Sequence, residues 1–113
     1  MTTITVYALE SGEMAGFEAG GHAGAKRVRG YDLVCCAVSA LTQTGVNALC
    51  EVAGFEPEVE VRDGYVRCIL PEGMDEKTMD SGQIVLRTIM TGLTDIQKIF
   101  PNLIRIQQKE WRK

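Results

Sequence analysis

Glu58-Val59-Glu60-Val61-Arg62-Asp63-Gly64-Tyr65-Val66-Arg67-Cys68-Ile69-Leu70 sets two alternating polar and apolar runs on either side of an Asp-Gly pair. That pair is the strongest short-range hairpin signal, because a two-residue turn of matching twist needs positive φ at its centre. The turn fixes the register. Val61 then faces Val66 and Val59 faces Cys68 on one side, while Glu60 faces Arg67 on the other. An antiparallel sheet with one wet face is expected, with Cys68 in the core, where a thiol behaves as a small hydrophobe.

Working outward, Asp75 to Phe100 carries Leu86, Ile89, Met90, Leu93 and Ile96 on one helical stripe, with Pro101 closing it. Asn102 to Gln107 is expected to be a last strand. Upstream, Asp32 to Val52 reads as the clearest helix. Asp32 is a good N-cap, and Val34, Ala37, Val38, Leu41, Gly45, Ala48, Leu49 and Val52 share one face. The small residues among them would let the helix sit close on a sheet. Cys35, Ser39, Thr42 and Val46 fall on a flank roughly 120° from the centre of that face, which keeps Cys35 from being buried under the helix. Thr3 to Leu9 alternates with Ile4, Val6 and Ala8 on one side, and Met14 to Glu18 pairs back after Ser11-Gly12-Glu13. The order ββαββαβ predicts an α+β two-layer sandwich: a mainly antiparallel sheet with two helices on one face, forming a single domain over residues 1–113.

At 113 residues, with 45% hydrophobic and 24% charged residues, the chain is large enough for one core without disulfides or a structural metal. A net charge of −3 argues against a global polyanion-binding surface. Basic residues gather only locally, at Lys26, Arg27 and Arg29 and at Lys109, Arg112 and Lys113, without aromatic interleaving, so direct nucleic-acid binding is not expected. No run of about 18 apolar residues is present, and the first residues lack the layout of a signal peptide; no membrane association and a cytoplasmic location are expected. The four cysteines lack Cys-x-x-Cys spacing and do not read as a disulfide framework. With one histidine, and with adjacent thiols diverging by about 100° on a helix, no metal site is expected.

The chemistry concentrates in Gly21-His22-Ala23-Gly24 and Asp32-Leu33-Val34-Cys35-Cys36-Ala37-Val38-Ser39. If Asp32 is the N-cap, Cys35 is the third helical residue, where unpaired N–H groups and the helix dipole favour a thiolate. The same donors can face the oxyanion of an acyl-transfer intermediate. His22, delivered by a glycine-rich strand end, is the candidate cation or base. The alternative is a histidine at a strand end beside a helix with two small thiols. The loop Ala23 to Tyr31, with Gly24 and Gly30 at its ends and Arg27 within it, reads either as a lid over substrate or as a solvated connection.

These two stretches resemble the paired signature of the ribosomal-processing cysteine protease family, and the resemblance extends along nearly the whole chain to Phe100-Pro101-Asn102-Leu103-Ile104-Arg105-Ile106. It implies a cytoplasmic, homodimeric bacterial cysteine protease that needs no cofactor. The implied substrate is large-ribosomal-subunit protein twenty-seven, from which the N-terminal extension is cut after a Phe-Phe pair. Carried over by position, the nucleophile is Cys35 and the general base His22. Asp32, Ser39 and Gly21 become supporting or substrate-positioning residues. Asp32 as a cap and Ser39 as a hydroxyl bonding the preceding helical turn are the plainer roles. Cys36 departs from the family pattern, which has a small residue there, and introduces a rival nucleophile. The competing reading is a non-catalytic dimeric ribosome-associated binding protein using Trp111 and the Met-rich parts of the second helix. A redox role for Cys35 and Cys36 ranks last, because adjacent helical cysteines cannot form a disulfide without breaking helical geometry.

Overall fold

The computed structural model describes residues 1–21, 27, 28 and 31–112, with residues 27, 28 and 31 described by their backbone alone. The elements are β1 (Thr2–Ala8), β2 (Met14–Gly20), β3 (Arg27–Val28), β4 (Tyr31–Asp32), α1 (Leu33–Glu51), β5 (Glu58–Arg62), β6 (Tyr65–Ile69), α2 (Glu76–Ile99) and β7 (Ile104–Glu110). Five strands form one sheet in the order β5-β6-β2-β1-β7, and β3 pairs with β4 in a separate two-stranded ribbon. The large sheet and its two helices have the expected α+β arrangement in the order ββαββαβ. The ribbon is an addition to it, set in the segment expected to be a loop.

The Asp63-Gly64 turn imposes the predicted register: Val61 pairs with Val66, Glu60 with Arg67 and Val59 with Cys68. β1 and β2 are antiparallel, as are β2 and β6. The exception is β7, which lies parallel to β1 from Thr2↔Ile104 to Ala8↔Glu110. It starts later than expected because Leu103 N–H donates to the Phe100 carbonyl (3.0 Å) in the turn after α2. It also runs on to Glu110, since an edge ladder is built from backbone groups and tolerates polar side chains.

Both helices begin at the expected aspartates. Asp32 caps α1, and Asp75 caps α2 by accepting from the Thr78 N–H at 2.7 Å. The buried stripe of α1 is Val34, Val38, Thr42, Gly45 and Leu49. Two positions depart from expectation. Val52 is 76% exposed, because it is the C-cap and lies past the last packed turn. Thr42, expected on the flank, is 2% exposed. Thr42 lies on the side of α1 turned toward the β5–β6 hairpin, away from the Leu41 and Gly45 edge that meets α2, and its hydroxyl is satisfied by donating to the Ser39 carbonyl at 3.2 Å. Gly45 serves the helix pair rather than the sheet: a Cβ there would lie 2.6 Å from Ile89 Cδ1. At 19 residues and a mean hydropathy of 1.5, α1 also meets the length and composition of a membrane span, which the sequence reading did not anticipate. Here Val34, Val38 and Leu49 are committed to the core.

One cluster of buried side chains joins Ile4, Ala19, Val34, Val38, Leu93 and Ile104, and a second joins Phe17, Leu49, Cys68, Leu70, Val85, Leu86 and Ile89. Burial pushes the Cys68 thiol up to about 12. Gln83 of α2 closes the sheet at its bulged corner, where its side chain accepts from the Met14 N–H and donates to the Met14 carbonyl, both at 2.8 Å. On the sheet face away from the helices, Tyr7 and Tyr65 both donate to Glu18. Trp111 meets Tyr7 edge-on, with centroids 5.2 Å apart, and the Arg67 guanidinium lies 5.4 Å from the Trp111 ring centroid. Trp111 is thus engaged within the chain, as are Met79 and Met90, which pack against the two core clusters.

Candidate active site

The local structure around Cys35 follows from Asp32. Its φ of −85° and ψ of 104° are extended, so it ends β4 and starts α1 at once. Its Oδ1 accepts from the Val34 and Cys35 N–H groups, each at 3.1 Å. Cys35 is therefore the third helical residue, as expected, and is half-buried against the first core cluster. One expectation changes in detail. The N–H groups of Val34 and Cys35 face the Asp32 carboxylate, so an oxyanion drawing on them would share them with that cap. Cys36, one residue on, is exposed.

Gly21 is held from two sides. Its N–H donates to the Gly64 carbonyl in the hairpin turn (3.0 Å), and its carbonyl accepts from Thr2 Oγ1 (3.4 Å). Its φ of +89° is a conformation that side chains disfavour, and a Cβ would stand 2.5 Å from the Met1 carbonyl oxygen. The backbone leading to residue 22 is thereby fixed against the hairpin. His22, Gly24 and Gly30 lie outside the described residues, and Arg27 is described only as the β3 residue paired with Asp32. The Cys-His pairing falls there, as does the lid or solvated connection expected over 23–31 apart from the backbone of residues 27, 28 and 31 in the β3–β4 ribbon.

Cys35, Cys36, Ser39 and Gly21 line one groove of about 580 Å³ between α1 and the β5–β6 hairpin. This size lies within the ~300–1,000 Å³ range of ligand pockets. Its apolar lining comes from Ala19, Val38, Val46 and Val66, with Val59 and Val61 on the hairpin side; its polar lining includes Gln43 and Asn47 on the helix side and Arg62 and Asp63 at the hairpin turn. Val59 and Val61 are 42% and 66% exposed even though they face the helix layer. Sequence reasoning missed Gln43, Asn47, Val59 and Val61 as groove residues. The spacing of Gln43 and Asn47 from Cys35 was available, but the gap beside β5 is a tertiary feature. Among the described residues, no three His, Cys, Asp or Glu side chains converge as metal ligands.

A half-buried thiol at the start of a helix, facing a groove with an apolar lining, suits nucleophilic attack on an extended chain. Comparison with known proteins accords with that chemistry. The family model described as cysteine protease Prp matches residues 1–105. The ribosomal processing cysteine protease Prp of Bacillus subtilis is 32% identical over 92 residues, covering 80% of this chain and 81% of that one. The protein of the same name from Staphylococcus aureus strain Mu50 is 24% identical over 113 residues, covering 96% and 100%. The crystal structure of the S. aureus protease with a covalently linked product peptide superposes with a TM-score of 0.83 at 24% identity, covering 96% of this chain and all of that one. A Streptococcus mutans structure gives 0.77 at 26% identity, with 96% of each chain covered.

Proposed function

The chain belongs to the cysteine protease Prp family, and from that premise we propose that it removes the N-terminal extension of bacterial large-ribosomal-subunit protein twenty-seven, cutting after a Phe-Phe pair. Cys35 is the nucleophile and His22 the general base. The observation that carries this reading is the placement of Cys35, half-buried in the first turn of α1 and opening on a groove that Val59, Val61 and Val66 line with apolar surface. The Cys35 thiolate attacks the scissile carbonyl, His22 protonates the leaving amine, and water then releases the acyl group from sulfur. The chemistry calls for no metal or organic cofactor. Asp32 acts as a positioning residue, since its carboxylate holds the N–H of the nucleophile itself. Ser39 touches substrate in this reading, which its exposed position on the groove one turn after Cys35 supports. The working form is a cytoplasmic homodimer.

The test is incubation of the reduced protein with a peptide spanning the Phe-Phe site, beside Cys35→Ala, Cys36→Ala and His22→Ala. Wild type and Cys36→Ala should cut after the second phenylalanine, and the other two should not. No cleavage by the folded wild type would refute the substrate; activity lost in Cys36→Ala and kept in Cys35→Ala would transfer the nucleophile to Cys36.

A further inference from the structure

Cys35, Ser39, Gln43 and Asn47 are spaced four apart on α1, and all four line the groove. Residues at this spacing form one inclined ridge on a helix surface, with successive members about 6 Å apart along the axis at ~1.5 Å rise per residue. Ser39, Gln43 and Asn47 are all exposed. They are also neutral. An amide side chain offers both a carbonyl acceptor and N–H donors, which is the complement of a peptide unit and is indifferent to the sequence that carries it.

The opposite wall is apolar apart from its turn end, where Arg62, Asp63 and Tyr65 also line the groove. Val59 and Val61 alternate along β5 and line the groove from the hairpin side, with Val66 beside them on β6. An extended chain repeats every two residues, about 6.6 to 6.8 Å, close to the step of the helical ridge. A peptide laid between the walls can therefore meet a polar group of α1 at every second residue while the side chains between them turn toward the valines. The ridge from Cys35 to Asn47 covers about 18 Å, the length of roughly five extended residues.

We propose that Ser39, Gln43 and Asn47 form a ladder that hydrogen-bonds the substrate backbone for about five residues on one side of the scissile bond, with Val59 and Val61 selecting apolar side chains opposite. This rests on the protease reading above, deepens it, and requires no particular ribosomal sequence. The groove's continuity with the nucleophile makes its occupant a peptide.

The test uses the full chain and a random-sequence peptide pool, with cut sites read by mass spectrometry. Peptides built on the site actually cut are then lengthened one residue at a time in each direction. kcat/KM should climb on one side until about the fifth residue and then level off. Gln43→Ala and Asn47→Ala should each lower kcat/KM about five-fold on the long peptide, within the range of one neutral hydrogen bond, and leave a peptide that ends after two residues on the ladder side unchanged. N-methylation of alternate backbone nitrogens on the ladder side should reproduce the loss with the wild-type protein, so the result does not hang on how a variant folds. A plateau at two residues on both sides, equal losses on short and long peptides, or indifference to N-methylation would overturn the ladder. Cutting in the pool but not at the ribosomal site would remove the proposed substrate and leave the ladder to be read; no cutting at all would sink both.

Discussion

Gly45→Ala sets two effects of known size against each other. Alanine is favoured over glycine inside a helix by up to about 1 kcal/mol, so on an open surface the change stabilises. At position 45 the new Cβ would sit 2.6 Å from Ile89 Cδ1, 3.1 Å from Cγ2 and 3.5 Å from Cγ1. Three of the four side-chain carbons of Ile89 are involved, and rotating the terminal methyl relieves only the first contact. Ile89 is 4% exposed and has little room to retreat. Overpacking of this kind costs about 1–3 kcal/mol, so the net expectation is destabilisation by about 1 kcal/mol. Ile89→Val removes Cδ1 at a cost of its own of about 0.5–1.5 kcal/mol. The double variant should be no less stable than Ile89→Val, which makes the coupling between the two sites favourable by about 1 kcal/mol or more. Urea denaturation of the four proteins measures the cycle. A rise in midpoint for Gly45→Ala, or additivity of the two changes, would show that α1 and α2 do not meet as described.

The thiols should separate by reactivity. Burial holds Cys68 neutral at pH 8, so iodoacetamide with mass mapping should label exposed Cys36 and Cys50 while Cys68 resists until the protein unfolds; rapid labelling of Cys68 would contradict its place in the core. Gln83→Ala leaves both polar groups of Met14 without their partner and should cost about 1–3 kcal/mol in the same denaturation assay, whereas a loss below about 0.5 kcal/mol would mean that the corner does not depend on the clamp. Hydrogen bonds from the Thr78 side chain and backbone hold the Asp75 carboxyl below its usual range. A carboxyl depressed by folding contributes stability that is present above the unfolded value of about 3.9 and lost as pH falls through the lower folded value. The advantage of wild type over Asp75→Asn should shrink below about pH 4, and a flat difference across that window would rule the effect out. Asp32→Ala should lose about 0.5–2 kcal/mol of stability and Asp32→Asn much less, because asparagine retains the capping oxygen; equal losses would deny Asp32 its capping role.

What could be read from the chain divides along physical lines. The hairpin and both helix starts are local, set by Asp63-Gly64, Asp32 and Asp75 through chemistry within four residues, and the structure has them where the pattern put them. The position of Cys35 follows from the second of these. Features that depend on a second neighbour were not legible. Thr42 is buried on the side of α1 turned toward the β5–β6 hairpin, and no periodicity in α1 alone reports how near the hairpin comes. The parallel pairing of β7 with β1 joins residues about a hundred positions apart, and neither strand carries a mark of the other. Val59 and Val61 show the alternation of inward-facing residues, but whether anything covers them depends on how far α1 reaches across the sheet. The groove is that shortfall, and so its lining could not be assembled from motifs.

The pairing of β1 with β7 also bears on how the protein is made. β1 lies inside the sheet, and one of its two edges stays open until β7 has left the ribosome. Ile104, the first residue of β7, packs in the same cluster as Val34 and Val38, which seat the helix carrying Cys35. A nascent chain that has already exposed its thiol still lacks the strand that completes the floor beneath it. Sequence-distant pairing of this kind is slow to form, and here the core beneath α1 is completed only once β7 has emerged and paired with β1. The seat of Cys35 is thus built by β7 as well as by the motif that carries the thiol.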